Sequence, residues 1–219
     1  MKKNLLLAAL LMSAFASWAQ LDGVNLNGYA GYVFDNKFDT YYTSNEYIRG
    51  KINGGFQWGV GMEFLLNEDY GVELLYIRQD TEASITYQRG IGQGQESRVV
   101  DLGVNYIAIG GVRYLNLASD KVQPYGGLLL GVAIFGNKNA LPQENDSYTK
   151  FAWGARLGTN IWMTERVGLK LQAQLLSAVQ AFGGGFYFGS GGSSVGVSTY
   201  STLLQFTLGG GLVIKLKAP

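Results

Sequence analysis

Cysteine and histidine are both missing from this chain. Without cysteine there is no disulfide framework and no thiolate metal site. Without histidine the commonest general base and the commonest transition-metal ligand are gone. Proline is scarce, at 3 of 219 residues, while 13% of the chain is aromatic, which excludes a disordered or collagen-like class. The formal net charge is only +1, so no charge excess points to nucleic acid. No apolar run reaches the roughly 20 residues that a membrane-spanning helix needs.

Glycine, by contrast, is abundant, at 32 of 219 residues. It is interleaved with aromatics in strand-like runs, the composition of a barrel whose small residues relieve crowding on the inner wall. The plainest run is Gly55 to Leu66. Phe56, Trp58, Val60, Met62, Phe64 and Leu66 share one parity; Gln57, Gly59, Gly61 and Glu63 share the other. A strand sends successive side chains to opposite faces, so one face is large and apolar and the other small or polar.

Residues 1–19 have the pattern of a secretory signal peptide. Lys2 and Lys3 precede the apolar run Leu5 to Met12, and Ser17-Trp18-Ala19 fits the cleavage rule. The expected division is therefore a leader at 1–19 and one barrel domain at 20–219. Eight strands are expected: Val24–Phe34, Gly55–Leu66, Tyr70 to about Tyr87, Val99–Leu115, Val122–Phe135, Lys150–Met163, Val167 to about Ala178, and Thr199–Leu216. Their connections alternate. Asp35–Asn53, Arg89–Ser97, Gly136–Thr149 and the Gly/Ser segment after Ala178 are long; Asn67–Asp69, Asn116–Lys121 and Thr164–Arg166 are short. A soluble lipocalin-like barrel shares the strand number but not this asymmetry. The pattern predicts an all-β, eight-stranded antiparallel up-and-down transmembrane β-barrel with short periplasmic turns and long outer loops.

A Lys or Arg facing lipid at mid-bilayer costs roughly 2–4 kcal/mol, so the charged parity should face the lumen. This assigns Glu63, Glu73, Asp101, Arg113, Arg156 and Lys170 to the interior. On the fourth strand it sends Val104, Tyr106, Val112 and Tyr114 outward. An eight-stranded barrel leaves room only for side chains, so a packed polar lumen is expected. Glu63, Glu73, Arg113 and Lys170 lie close to the short turns and should form a low cluster plugging the periplasmic mouth, with Arg156 higher. Tyr32, Phe34, Phe56, Trp58, Tyr76, Phe151, Trp153 and Tyr200 suggest an upper aromatic belt, and Phe64, Tyr70 and Tyr114 a lower one.

Asn105 to Leu115, N-Y-I-A-I-G-G-V-R-Y-L, then Val122 to Val132, V-Q-P-Y-G-G-L-L-L-G-V, resembles the paired-strand signature of small bacterial outer-membrane β-barrel proteins. These are the porin-family, OmpX- or OmpA-barrel-like domains. The resemblance covers the chain in organisation but only this region in sequence, and it marks fold rather than activity. It implies the outer membrane of a Gram-negative bacterium, contact with outer-membrane lipid, and handling by the barrel assembly machinery. Leu216 stands where such barrels often end on an aromatic.

Some barrels of this architecture are lipases, acyltransferases or proteases that rely on histidine. This chain has none, so no enzyme activity, catalytic residue, metal or cofactor is expected. Two functions remain. One is a structural or interaction role, through extracellular loops that carry Tyr41, Tyr42, Tyr47, Phe186, Tyr187 and Phe188 as contact candidates for another envelope or extracellular protein. The other is a narrow porin-like channel for small solutes, gated by the lumen charges. No nucleic-acid partner is expected.

Overall fold

The alternation of large and small residues becomes ten strands in the computed structural model of the chain, which describes residues 21–43, 46–89, 96–115, 117, 121–137, 147–179 and 203–217. They are β1 (Gly23–Val33), β2 (Asn36–Thr43), β3 (Glu46–Ile52), β4 (Gly55–Leu65), β5 (Tyr70–Arg89), β6 (Glu96–Tyr114), β7 (Val122–Asn137), β8 (Ser147–Trp162), β9 (Val167–Val179) and β10 (Leu203–Lys217). Eight of them close a ring in the order β5-β4-β1-β10-β9-β8-β7-β6, with β6 pairing back onto β5. Every pairing is antiparallel. The fold is the expected eight-stranded up-and-down barrel. The proposed leader at 1–19 lies outside the described residues.

The register shows how strongly the strands lean. From Gly28 the paired residues run through Val60, Tyr76, Ile107 and Val132 to Phe151 on β8. The other way round they run through Leu212 and Leu169 to Ile161 on the same strand. The ring therefore closes with a stagger of ten residues, Phe151 against Ile161. Such a stagger goes with a strand tilt of about 40°. Equal distance from a turn is then not equal height in the barrel.

Two short turns are tied by their own side chains. Asn67 Oδ1 accepts hydrogen bonds from the backbone N–H of Asp69 (2.9 Å) and Tyr70 (2.8 Å). Thr164 Oγ1 does the same for Arg166 (3.2 Å) and Val167 (3.0 Å). Asn and Thr are turn formers for this reason.

At the opposite end the segment Asp35–Asn53 is not a loop, as its composition suggested, but the hairpin β2–β3. β3 continues the ladder on β5, from Ile52 against Ala83 to Glu46 against Arg89. The joint below it is pinned: Gly54 N–H donates to Asp35 Oδ1 (2.7 Å), and Lys51 pairs with Asp35 (2.6 Å). Thr81 Oγ1 donates to the carbonyl of Asn53 (2.5 Å). β5, with 20 residues, is about twice the 9–11 that cross a bilayer, so β2, β3 and the far ends of β5 and β6 rise beyond the lipid-facing band.

The outer wall is apolar. Val60, Leu74, Ile107, Ile109, Leu128, Leu130, Leu157, Leu171, Leu208 and Leu212 all stand exposed, Leu157 at 70%. A continuous apolar belt of this extent needs lipid rather than water around it. Toward the upper edge of the belt Phe34 stacks on Phe206 (5.6 Å) and Trp58 meets Tyr76 edge-on (5.8 Å).

One strand faces opposite to the sequence expectation. On β6, Val104, Tyr106, Val112 and Tyr114 are buried in the lumen, while Ile107, Ile109 and Arg113 are exposed on the wall. Both parities of β6 carry large apolar residues, so hydrophobicity does not choose between them. The ladder does: Glu73 and Ile77 of β5 point inward and pair with Gly110 and Tyr106. Asp101 and Arg113 are thus placed on the outward parity, and Tyr114 leaves the lower aromatic belt for the interior. The lumen is also less polar than expected. Leu75, Ile77, Val104, Leu129, Ala133, Phe135 and Leu176 pack into one apolar cluster within it. Gln57, Gln174, Gln205 and Thr207, on β4, β9 and β10, line the other side.

Candidate functional site

Four charged side chains meet inside the barrel: Glu63 of β4, Glu73 of β5, Arg156 of β8 and Lys170 of β9. None is more than 2% exposed. Glu63 and Glu73 are direct cross-strand partners on the same face, a like-charge pairing that is unfavourable by itself. Two glycines make it sterically possible. A Cβ on Gly61 would collide with Oε1 of the Glu73 carboxylate, and one on Gly71 would meet Glu63 Oε1 at 2.7 Å. Each carboxylate thus lies over a glycine of the neighbouring strand.

The charges are then paired and bonded. Arg156 Nη2 forms an ion pair with Glu73 Oε2. Glu73 Oε1 accepts from Tyr29 Oη (2.6 Å) and from Asn27 Nδ2 (2.7 Å). Asn27 Nδ2 also donates to Glu63 Oε2 (3.2 Å), so one amide bridges both acids. Tyr114 Oη donates to Glu63 Oε1. Arg156 Nη1 donates to Tyr29 Oη (3.2 Å). Lys170 Nζ finds no hydrogen-bond acceptor among the described residues and lies over two rings instead, 4.6 Å from that of Tyr125 and 5.6 Å from that of Tyr29. Cation–π contact of this kind strengthens as water is removed. Two acids and two bases leave the centre neutral.

Arg156 lies midway along β8 between the wall residues Phe151 and Ile161, so the centre sits near mid-height of the lipid-facing band. Directly above it Leu129 and Leu75 join the apolar cluster. A cavity beside Tyr29, Gln57, Ile77, Gln174 and Thr207 has a volume of about 10 Å³, at the lower limit for one water molecule. Further down, Lys215 Nζ stands 4.2 Å over the Trp162 ring at the short-turn mouth.

The chain shares this architecture with solved proteins. It superposes on the crystal structure of Neisserial surface protein A (NspA) with a TM-score of 0.54 at 14% identity, over 89% of this chain and 97% of that one. It superposes on the outer membrane protein OprG of Pseudomonas aeruginosa with a TM-score of 0.57 at 13% identity, over 91% and 98%. The chain has the fold of a bacterial outer-membrane barrel. No protein-family model and no curated protein sequence matches it, so the fold rests on geometry alone.

Within this outer-membrane barrel fold the structure brings together Glu63, Glu73, Arg156 and Lys170 of the six charges assigned to the lumen. Arg113 is exposed on the wall, its guanidinium 5.6 Å from the Tyr70 ring centroid, and Asp101 is half-buried on the same outward parity. Arg156 does not stand above a separate low cluster; strand tilt brings it level with Glu73 and away from the mouth. Asn27, Tyr29, Tyr114 and Tyr125 complete the centre. The polar parity of β1, on which Tyr29 also falls, signalled Asn27, whereas Tyr114 was expected on the wall. Among the described residues no group of His, Cys, Asp or Glu is placed to hold a metal. Of the loop contact candidates, Tyr41, Tyr42 and Tyr47 fall on β2 and β3, and Phe186, Tyr187 and Phe188 lie outside the described residues.

Proposed function

We propose that this protein is a bacterial outer-membrane barrel, exported with its leader removed, whose lumen is closed and whose work is done at its outer end. The observation that carries this reading is the Glu63–Glu73–Arg156–Lys170 centre at mid-height, fully buried and capped by apolar residues. A barrel of eight strands has no room for a second path around such a centre. Function then falls to the parts beyond the lipid: the β2–β3 hairpin, the extended β5–β6 hairpin and the connections near them. Tyr41, Tyr42, Tyr47, Phe186, Tyr187 and Phe188 are the proposed contact residues for an envelope or extracellular protein. Its other neighbours are outer-membrane lipid and, during insertion, the barrel assembly machinery. The role is one of structure or interaction rather than catalysis.

The rival reading, a narrow channel for small solutes, has the same fold and a different lumen requirement. Planar-bilayer recording of the refolded protein separates them. The closed-barrel reading expects no steady single-channel steps in molar salt. Reproducible steps that vanish on Glu73→Trp, a filling substitution, would establish the channel instead.

A further inference from the structure

The apolar band of the wall is not equally continuous all the way round. On β10 it runs outward-facing from Leu204 to Leu216, and on β4 from Phe56 to Leu66. On β5 only Val72, Leu74 and Tyr76 separate Tyr70 from Arg78; on β6 Ile107, Ile109 and Gly111 separate Asn105 from Arg113, with Leu115 exposed on the same parity beyond it. With the rise per residue and strand tilt of such a barrel, polar groups interrupt the β5–β6 wall roughly 20 Å apart, whereas the β10 wall runs uninterrupted for roughly 30 Å.

Both ends of the shorter stretch are polar, and they differ in kind. At the upper end Arg78 is already neutralised. Its Nη2 and Nε bond Asp80 (2.9 and 3.2 Å), and Nη1 donates to Asn105 Oδ1 (3.2 Å). At the lower end Arg113 pairs across the ladder with Tyr70 and lies over its ring. No carboxylate forms an ion pair with Arg113 among the described residues. An exposed guanidinium just inside the apolar band, beside a phenol also 44% exposed, has the two donors that grip a phosphate: a planar fork and a hydroxyl.

We propose that Arg113 and Tyr70 hold the phosphodiester of a glycerophospholipid from the leaflet on the short-turn side, drawing its headgroup inward along β5–β6. The acyl chains of that lipid then lie on Val72, Leu74, Ile107 and Ile109. The inference rests on the outer-membrane reading above, and it makes the wall a specific lipid site instead of a uniform surface.

The test is native mass spectrometry of the refolded barrel in detergent, titrated with phosphatidylglycerol. Heat-modifiable mobility and insertion into vesicles are measured alongside. The expected result is one lipid retained by the wild type, at least tenfold weaker retention by Arg113→Gln, and intermediate loss in Tyr70→Phe and Arg113→Lys. Diacylglycerol with the same chains should not be retained, and millimolar inorganic phosphate should not displace the bound lipid. Equal retention by wild type and Arg113→Gln, or retention of diacylglycerol, overturns the site. Displacement by free phosphate overturns the assignment to a membrane lipid. If Arg113→Gln does not fold, Arg113→Lys and Tyr70→Phe carry the comparison. A wild type that folds and inserts but shows no Arg113 dependence defeats this inference alone; a wild type that never inserts defeats the outer-membrane reading.

Discussion

Glu73 ties three members of the lumen centre together. It holds Arg156 through one oxygen, and Tyr29 and Asn27 through the other. Neutralising it leaves Arg156 and Lys170 buried opposite Glu63 alone. Breaking a buried pair in this way typically costs about 3–5 kcal/mol, because the remaining charge is stranded. Glu73→Gln should therefore lower stability to urea unfolding in detergent or lipid by a few kcal/mol, and Arg156→Gln likewise. The double variant should recover part of the loss, since two neutral amides strand nothing. Coupling of Glu73 to Arg113 should be near zero, because the wall lies between them. A cycle showing strong Glu73–Arg113 coupling would reverse the assignment of β6, and strict additivity of Glu73 and Arg156 would dissolve the centre. Gly61→Ala tests the same centre by sterics. Its methyl group would enter the space of the Glu73 carboxylate, and overpacking of this kind typically costs about 1–3 kcal/mol.

At the scale of the strand, the two faces should differ sharply in what they tolerate. Val60 is 49% exposed on the wall and Gln57 only 4% in the lumen, three residues away on β4. Val60→Arg puts a charge into lipid near the midplane, at roughly 2–4 kcal/mol. Gln57→Arg puts it among Thr207, Gln174 and the other lumen amides. The first should lose far more heat-modifiable folded barrel than the second; equal losses would overturn the face assignment. Strands such as β4, β8 and β9 were legible in the sequence because only one of their parities is apolar. β6 was not, because Tyr106 and Ile107 are equally at home in a lumen or in lipid. Its face is fixed by a partner strand, through Glu73 against Gly110, and a single strand read alone does not contain that information. The β2–β3 hairpin escaped notice for a related reason. N-K-F-D-T-Y-Y-T and E-Y-I-R-G-K-I lie beyond the lipid, where neither face must be apolar, so the two-residue period disappears while the backbone ladder remains.

For the whole molecule, the stagger of ten residues explains why the charge centre was only half visible. Glu63, Glu73 and Lys170 sit within a few residues of their turns, whereas Arg156 is seven before its own, yet all four meet at one level. Distance along a strand converts into height only after the tilt is known, and tilt belongs to the closed ring. The same closure fixes orientation. An even number of strands returns the chain to the end where it began, and the tight turns at Asn67 and Thr164 lie at that end, while β2, β3 and the long β5–β6 hairpin project from the other. A chain entering from the periplasm carries only short turns across the bilayer last if the extended end leads outward. Cysteine labelling on intact cells tests this cleanly, since the chain has no native cysteine. A membrane-impermeant maleimide should modify Tyr42→Cys and Ser147→Cys without lysis. Glu68→Cys and Glu165→Cys, in the exposed short turns, should react only after the outer membrane is opened. Labelling of the turn positions on intact cells, with the hairpin position silent, would invert the barrel and move the proposed contact surface to the periplasm.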